Sequence, residues 1–257
     1  MITLNDAQQA AVTAGDGPAL VLAGAGSGKT RVIIERLVWL VEERGVDPRH
    51  LLALTFTNRA AGEMRERLAE RLKVERVPSW MGTFHSFALY ILRREIQHLG
   101  RGRSFTVFDD GDQLSLMKRL VRDLPKKYEK VPPRDALGWI SRLKQEVKAP
   151  DFTEAPEDEE EEAYRVLWRG YHDTLQRANA LDFDDLLVLL AQLFRDHAEV
   201  REKYQRRYQY VLIDEYQDTN RAQYLIARSL SEGHGNLFVV GDEDQSIYSW
   251  RGADINN

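Results

Sequence analysis

Five short apolar runs, each followed by a stretch with helical spacing, restrict this chain to one class of fold. The runs are residues 19–23 (ALVLA), 51–56 (LLALTF), about 78–83 (PSWMGT), 209–214 (QYVLID) and 236–241 (NLFVVG), and they read as strands buried on both faces of a parallel sheet. After the first, Val32, Ile33, Leu37, Leu40 and Val41 recur at helical intervals; after the second, Ala60, Ala61, Met64, Leu68 and Leu72 do so. Repeated strand–helix units wind into a doubly wound α/β sheet. Between the third and fourth runs, residues from about 105 to 180 lack a strand signal and carry helical patterns near 110–123, 134–148 and 162–179. The expected organisation is an α/β domain in two parts, 1–105 and 180–257, interrupted by an all-helical inserted subdomain at 106–179. Within the insertion, the acidic run EAPEDEEEE at 154–162, beside Pro150 and Pro156, is expected to be a solvated, mobile segment. The final residues RGADINN follow a strand–loop signal with no helix to close the sheet, so the chain is expected to be part of a longer protein.

Composition sets wide bounds. A chain of 257 residues with 43% hydrophobic residues builds a core, which excludes a disordered or fibrous protein. With 36 basic against 41 acidic residues the net charge is −5, so a nucleic-acid site must be a local patch. There are no cysteines, which removes disulfides, thiolate nucleophiles, zinc ribbons and iron–sulfur clusters and fits a reducing compartment. No apolar run reaches the roughly 18 residues of a membrane helix. The opening MITLNDAQQ has neither a basic nor an apolar signal region, and a cytoplasmic location is expected.

The chemistry concentrates in ALVLAGAGSGKT, residues 19–30, a strand, a glycine-rich loop and a helix start. Gly24, Gly26 and Gly28, with Ala25 and Ser27 between them, let successive N–H groups turn inward around phosphate oxygens, and the helix start adds positive dipole. Lys29 reaches the β- and γ-phosphates, and the Thr30 hydroxyl holds Mg²⁺. Ala23 stands in the first position of the Walker A pattern, a slot that takes a small residue. A second carboxylate source is needed at a neighbouring strand end, and Val211–Ile213 run into Asp214 and Glu215. Asp214 is expected to orient Mg²⁺ and Glu215 to accept the proton of the attacking water, although two such acids alone could equally cap a helix. The fifth strand ends in Gly241-Asp242-Glu243-Asp244-Gln245, where the Gln245 amide could report on the γ-phosphate or form only a polar turn. Upstream, Asn5 and Gln8 have the spacing of a capping box, yet a Gln amide also matches adenine N6 and N7; a capped helix would hold the amide rigidly, so both roles can coexist.

The segments LNDAQ, AGAGSGKTR, TFTNRAA, GTFHS, LDFDDL, LIDEYQDTN and VGDEDQSIYSWRGAD occur in that order and cover nearly the whole chain. Together they closely resemble the N-terminal part of the UvrD/PcrA/Rep-like superfamily 1 DNA helicases. The resemblance implies a RecA-like P-loop NTPase domain, ATP and Mg²⁺ as cofactors, and a 3′→5′ single-stranded DNA translocase. It also implies that Gln8 contacts adenine, that Arg31 packs against the adenine ring, and that a second RecA-like domain, with an arginine finger, completes the nucleotide site. On that basis the chain alone is expected to bind nucleotide weakly and hydrolyse it poorly.

Tracking single-stranded DNA, and ss/ds junctions, needs aromatic faces for bases and donors for the backbone. Candidates follow the strand ends: Phe56, Thr57 and Asn58; Thr83 and His85; and Tyr248, Trp250 and Arg251. In an open α/β sheet these loops share the carboxyl edge. Trp250 in the polar setting SIYSWRG is expected to stack on a base, and its spacing from Gln245 suggests coupling of hydrolysis to movement. Phe84, with Phe87, Ile91 and Leu92 at helical spacing, reads as core, and Asn58 could equally be a helix N-cap. Asp182, Asp184 and Asp185 read as caps and dipole partners without chemistry. Three other readings remain open: the motor half of a helicase–nuclease, a nucleotide switch acting on proteins, and an interaction module docking through its helical insertion.

Overall fold

The computed structural model describes residues 4–24, 26–75, 77, 79–125 and 131–242. The chain divides into two compact units, residues 1–87 with 194–257, and residues 88–193.

The first unit is built on a five-stranded parallel sheet of β1 (Ala19–Leu22), β7 (Leu237–Gly241), β6 (Tyr210–Ile213), β2 (Leu51–Thr55) and β3 (Trp80–Thr83), in that spatial order. The register pairs Leu22 with Gly241, Ile213 with Val239, Leu54 with Ile213 and Thr55 with Thr83. All strands run the same way, so the loops after β1, β7 and β6 emerge side by side at one edge, and those after β2 and β3 emerge beside each other further along it. Every residue of β2 is buried, as the apolar run Leu51–Leu54 requires, and Thr55 is buried with it. Among the described residues, the α-helices of this unit are α1 (Asp6–Val12), α2 (Lys29–Glu42), α3 (Asn58–Leu72), the start of α4 (Phe84–Glu95), the end of α8 (Phe183–Asp196), α9 (Ala198–Arg207) and α10 (Arg221–Ser231). Ile33, Leu37, Leu40, Met64 and Leu68 pack against Leu51, Ala53, Leu212 and Val240 to form the core. Helical intervals in the sequence thus become the buried face of α2 and α3.

The second unit holds α5 (Asp110–Arg122), α6 (Pro133–Gln145), α7 (Glu159–Arg177) and most of α8 (Phe183–Asp196). Its core joins Leu116, Met117, Ile140, Leu167, Trp168 and Tyr171. The expectation of an all-helical insertion needs a correction, because β4 (Thr106–Val107) and β5 (Ala180–Leu181) form a short parallel ladder. Two-residue strands carry no periodicity to read. The compact unit is also wider than 106–179: its chain enters within α4 and leaves within α8, both of which lie outside the expected limits. The acidic run is exposed over 154–160 and half-buried at Glu161 and Glu162, and α7 already begins at Glu159. Asp158 accepts from Glu161 N at 2.8 Å, and four glutamates fill the first turn, where a helix favours negative charge.

Candidate nucleotide site

The loop after β1 has the backbone that its glycines were expected to allow. Gly26 and Gly28 are left-handed, with φ of 72° and 88°, a conformation that is strained for any residue with a Cβ. A Cβ on Gly28 would also lie 3.3 Å from Gln8 Nε2. Gly28 is the N-cap of α2 and provides no side chain to bond the first-turn N–H groups, so these amides and the helix dipole face the loop. Ala25 lies outside the described residues.

Side chains from three adjacent strand ends meet this loop. Lys29, buried at the start of α2, pairs its Nζ with Asp242 Oδ2 at 3.0 Å, just past β7. Thr30 Oγ1 donates to Asp214 Oδ2 at 3.2 Å, just past β6. The Asp214 carboxyl is pushed up to about 6, first by burial and then by the negative charge of Glu215; the Thr30 hydroxyl, the Glu215 N–H and the Lys29 ammonium act in the opposite direction. Glu215 N donates to Asp214 Oδ1 at 3.0 Å, and the Glu215 backbone is left-handed, φ 51° and ψ 46°. Gln217 donates from Nε2 to Glu215 Oε2 at 2.7 Å and accepts from Asp242 N at 3.0 Å.

Gln8 binds the loop through its own amide. Its Oε1 accepts from Asn5 N at 3.1 Å while Asn5 Oδ1 accepts from Gln8 N at 2.8 Å, the reciprocal capping box; its Nε2 donates to Ser27 O at 2.8 Å. Both ends of the amide are therefore held by protein backbone, and a bidentate contact with adenine requires it to exchange them. Arg31 follows Thr30 on the first turn of α2 and is half-buried.

The half-buried Thr30 hydroxyl and the buried Asp214 carboxylate offer hard oxygens that suit Mg²⁺, and the glycine cradle with an adjacent ammonium suits phosphates. The residues present therefore fit the magnesium–nucleotide pair implied by the sequence.

The described candidate DNA residues follow β2 and β3 along the same edge. Phe56 is half-buried with its ring 6.0 Å from that of Phe84, itself core as expected. Thr57 and Asn58 are exposed, but Thr57 rather than Asn58 is the N-cap of α3, its hydroxyl accepting from Ala60 N at 3.1 Å. Thr83 is buried and accepts from Ser86 N at 3.1 Å, and His85 is half-buried on the first turn of α4. Gln245, Tyr248, Trp250 and Arg251 lie outside the described residues.

Three contributors escaped the sequence reading: Asp242 as the partner of Lys29, Gln217 as the link between two strand ends, and Arg36. Asp242 had the same signal as Asp214, an acid directly after a buried strand. Arg36, buried in α2, donates to the carbonyls of Val12, Ala14 and Gly15 at 3.0, 2.8 and 3.3 Å, which ties down the end of α1. Asp182 is a cap, as expected, with Asp185 N donating to it at 2.8 Å. Both acids also clasp the buried Lys144 Nζ at 2.6 Å, a pairing that spacing could not disclose.

Comparison with known proteins agrees with this geometry. Residues 4–257 match the family described as the UvrD/REP helicase N-terminal domain. The chain is 46% identical over 99% of its length to the ATP-dependent DNA helicase PcrA of Bacillus subtilis (strain 168), and 45% identical over 99% to that of Staphylococcus aureus (strain Mu50). It spans 34% and 35% of the length of these relatives. With a Walker-type loop, a strand-end Asp-Glu pair and this match over nearly all its residues, the chain belongs to the UvrD/REP helicase N-terminal domain family.

Proposed function

We propose that this chain is the nucleotide-binding part of an ATP-dependent DNA helicase, a motor that moves 3′→5′ on single-stranded DNA and acts at ss/ds junctions in the cytoplasm. The observation that carries the reading is the convergence of Lys29, Thr30, Asp214 and Asp242 on one glycine cradle at adjacent strand ends. Among the described residues no helix is long and apolar enough to cross a membrane.

In this reading Lys29 exchanges Asp242 for the β- and γ-phosphate oxygens, while the loop amides and the open first turn of α2 hold the others. Thr30 and Asp214 hold the magnesium ion, which when bound neutralises charge on the phosphates. Glu215 accepts a proton from water as the water oxygen bonds to the γ-phosphorus and the bond to the bridging oxygen breaks, releasing ADP and phosphate. Gln8, freed from Ser27 O, takes the adenine edge, and Arg31 packs on the ring. A second RecA-like domain in the longer protein closes the cleft. Phe56, Thr57, Asn58, Thr83 and His85 are the candidates for contact with the strand, joined on sequence grounds alone by Tyr248, Trp250 and Arg251.

The test is Mg²⁺-ATP hydrolysis by the full-length protein with and without oligothymidylate, beside a Lys29→Ala variant and the present chain alone. The expected result is strong stimulation by the oligonucleotide, lost in Lys29→Ala and nearly absent in the isolated chain. A rate indifferent to DNA would overturn the motor reading and favour a switch that acts on proteins.

A further inference from the structure

A general base works only if its carboxylate is held with one oxygen free for the water proton. A glutamate on its own does not meet that condition, because its side chain rotates through several staggered states. Glu215 is restrained twice. Its backbone is left-handed, which fixes where the side chain departs, and its Oε2 accepts from Gln217 Nε2 at 2.7 Å, leaving Oε1 for the reaction. The opposite end of the Gln217 amide accepts from Asp242 N at 3.0 Å, and Asp242 is the residue that pairs with Lys29. One amide thus ties the end of β6 to the end of its neighbour β7, and ties the candidate base to the residue that positions the phosphate lysine. Gly241 makes the approach possible: a Cβ there would lie 3.1 Å from Gln217 Oε1 and 3.5 Å from Gln217 N.

We propose that Gln217 is a positioning residue for hydrolysis, holding Glu215 by one oxygen and fixing it in register with Asp242 and Lys29. The assignment rests on reading Glu215 as the base. Both ends of the Gln217 amide bond protein groups, so its loss is expected to fall on turnover and not on nucleotide affinity.

The experiment is steady-state DNA-stimulated ATP hydrolysis by the full-length protein carrying Gln217→Glu, Gln217→Met, Glu215→Gln or the double change Glu215→Gln/Gln217→Met. Gln217→Glu keeps the acceptor for Asp242 N and removes the donor to Glu215. Both Gln217 variants should lose about 10- to 100-fold in kcat with KM inside about 3-fold. In the Glu215→Gln background, Gln217→Met should cost less than about 2-fold more, since a residue acting through Glu215 has nothing left to position. Gly241→Ala, which crowds the amide from the other side, should reproduce the kcat loss in weaker form. Equal losses in both backgrounds would make the role independent of Glu215, and a wild-type kcat in Gln217→Glu with an inactive Glu215→Gln would remove the proposal alone. A Glu215→Gln enzyme with wild-type kcat would remove the base assignment and this proposal with it. A thermal midpoint for each variant separates these outcomes from simple unfolding.

Discussion

Asp214 is buried beside Thr30, whereas its proposed role at a cation requires it ionised, and these two conditions oppose each other. Its carboxyl is raised from 3.8 to about 6, so in the folded chain it keeps a proton across a range where the unfolded chain has lost it. The sign follows: the protonated group favours the fold fully below about pH 3.8, and that contribution is lost as pH rises through about 6. Above that window the buried carboxylate costs up to about 3 kcal/mol. Asp214→Asn should therefore unfold later in urea than the wild-type chain at pH near 7.5, with the gap closing toward pH 4. Asp184 is likewise pushed up to about 6, by burial and then by the charge of Asp182, so the wild-type slope contains both groups and the difference between the two chains isolates Asp214. A gap of constant size across that range would overturn the assignment. At this scale, sequence pointed to residues that the structure brings together, Lys29, Thr30, Asp214 and Glu215, but not to all of their partners. Lys29 and Thr30 follow from the glycine loop, whereas Asp242 and Lys29 are brought together only by the placement of β7 beside β1, which no local pattern encodes. The exchange of Asn58 for Thr57 as the cap of α3 is a one-residue matter, and Ser, Thr, Asn and Asp compete closely at that position.

Helix α1 has seven residues, too few to persist in water by itself, yet it carries the Gln8 that meets the phosphate loop. Its first turn is closed by the Asn5–Gln8 box and its last by the Arg36 guanidinium, which lies 4.5 Å over the Phe238 ring while bonding the carbonyls of residues 12, 14 and 15. Arg36→Met keeps the apolar stem and leaves those carbonyls short of donors. We expect it to cost about 2–4 kcal/mol of stability. Hydrogen exchange is the sharper measurement: the amides of Gln9 and Thr13, bonded to Asn5 O and Gln9 O, should lose protection ahead of those in α2. Unchanged protection in α1 would mean that Arg36 is not its clasp. Sequence was most informative about elements wherever burial imposed a period. All five strands of the large sheet lie within a residue or two of the expected runs; burial on both faces, which demands apolar residues throughout, holds best for β2, β6 and β7 between the edges and fails for the edge strand β1, where Leu20 and Leu22 are exposed. The starts of helices were less legible. The glutamates of α7 look like a solvated loop by composition and like a good first turn by helix dipole, and the latter prevails once Asp158 caps the end.

At the scale of the molecule, the unit at 88–193 is a single uninterrupted segment with its own core and its own buried charges. Lys144, fully buried in α6, meets Asp182 and Asp185, and Tyr171 donates to Asp182 Oδ2 at 3.1 Å. Two carboxylates hold the Lys144 ammonium charged against the opposing effect of burial. Such a network is tolerable only when complete, because removing the partners of a buried ion costs about 3–5 kcal/mol. The limits suggested by helical periodicity and the missing strand signal, 106–179, cut this network: they keep Lys144 and discard both aspartates, together with β5, the partner strand of β4. The limits 88–193 keep all of it, and the aromatic packing of Trp139, Phe152 and Trp168 as well. Two peptides therefore have opposite expected fates. Residues 88–193 should show dispersed amide resonances and a single cooperative thermal transition, whereas 106–179 should retain helix without cooperative melting. Adding Lys144→Met to the longer peptide should destroy its cooperative transition, because Asp182 and Asp185 then lie buried without a cation. If 106–179 melts as cooperatively as 88–193, the buried network is not what closes this unit, and its packing must be sufficient without the clasp.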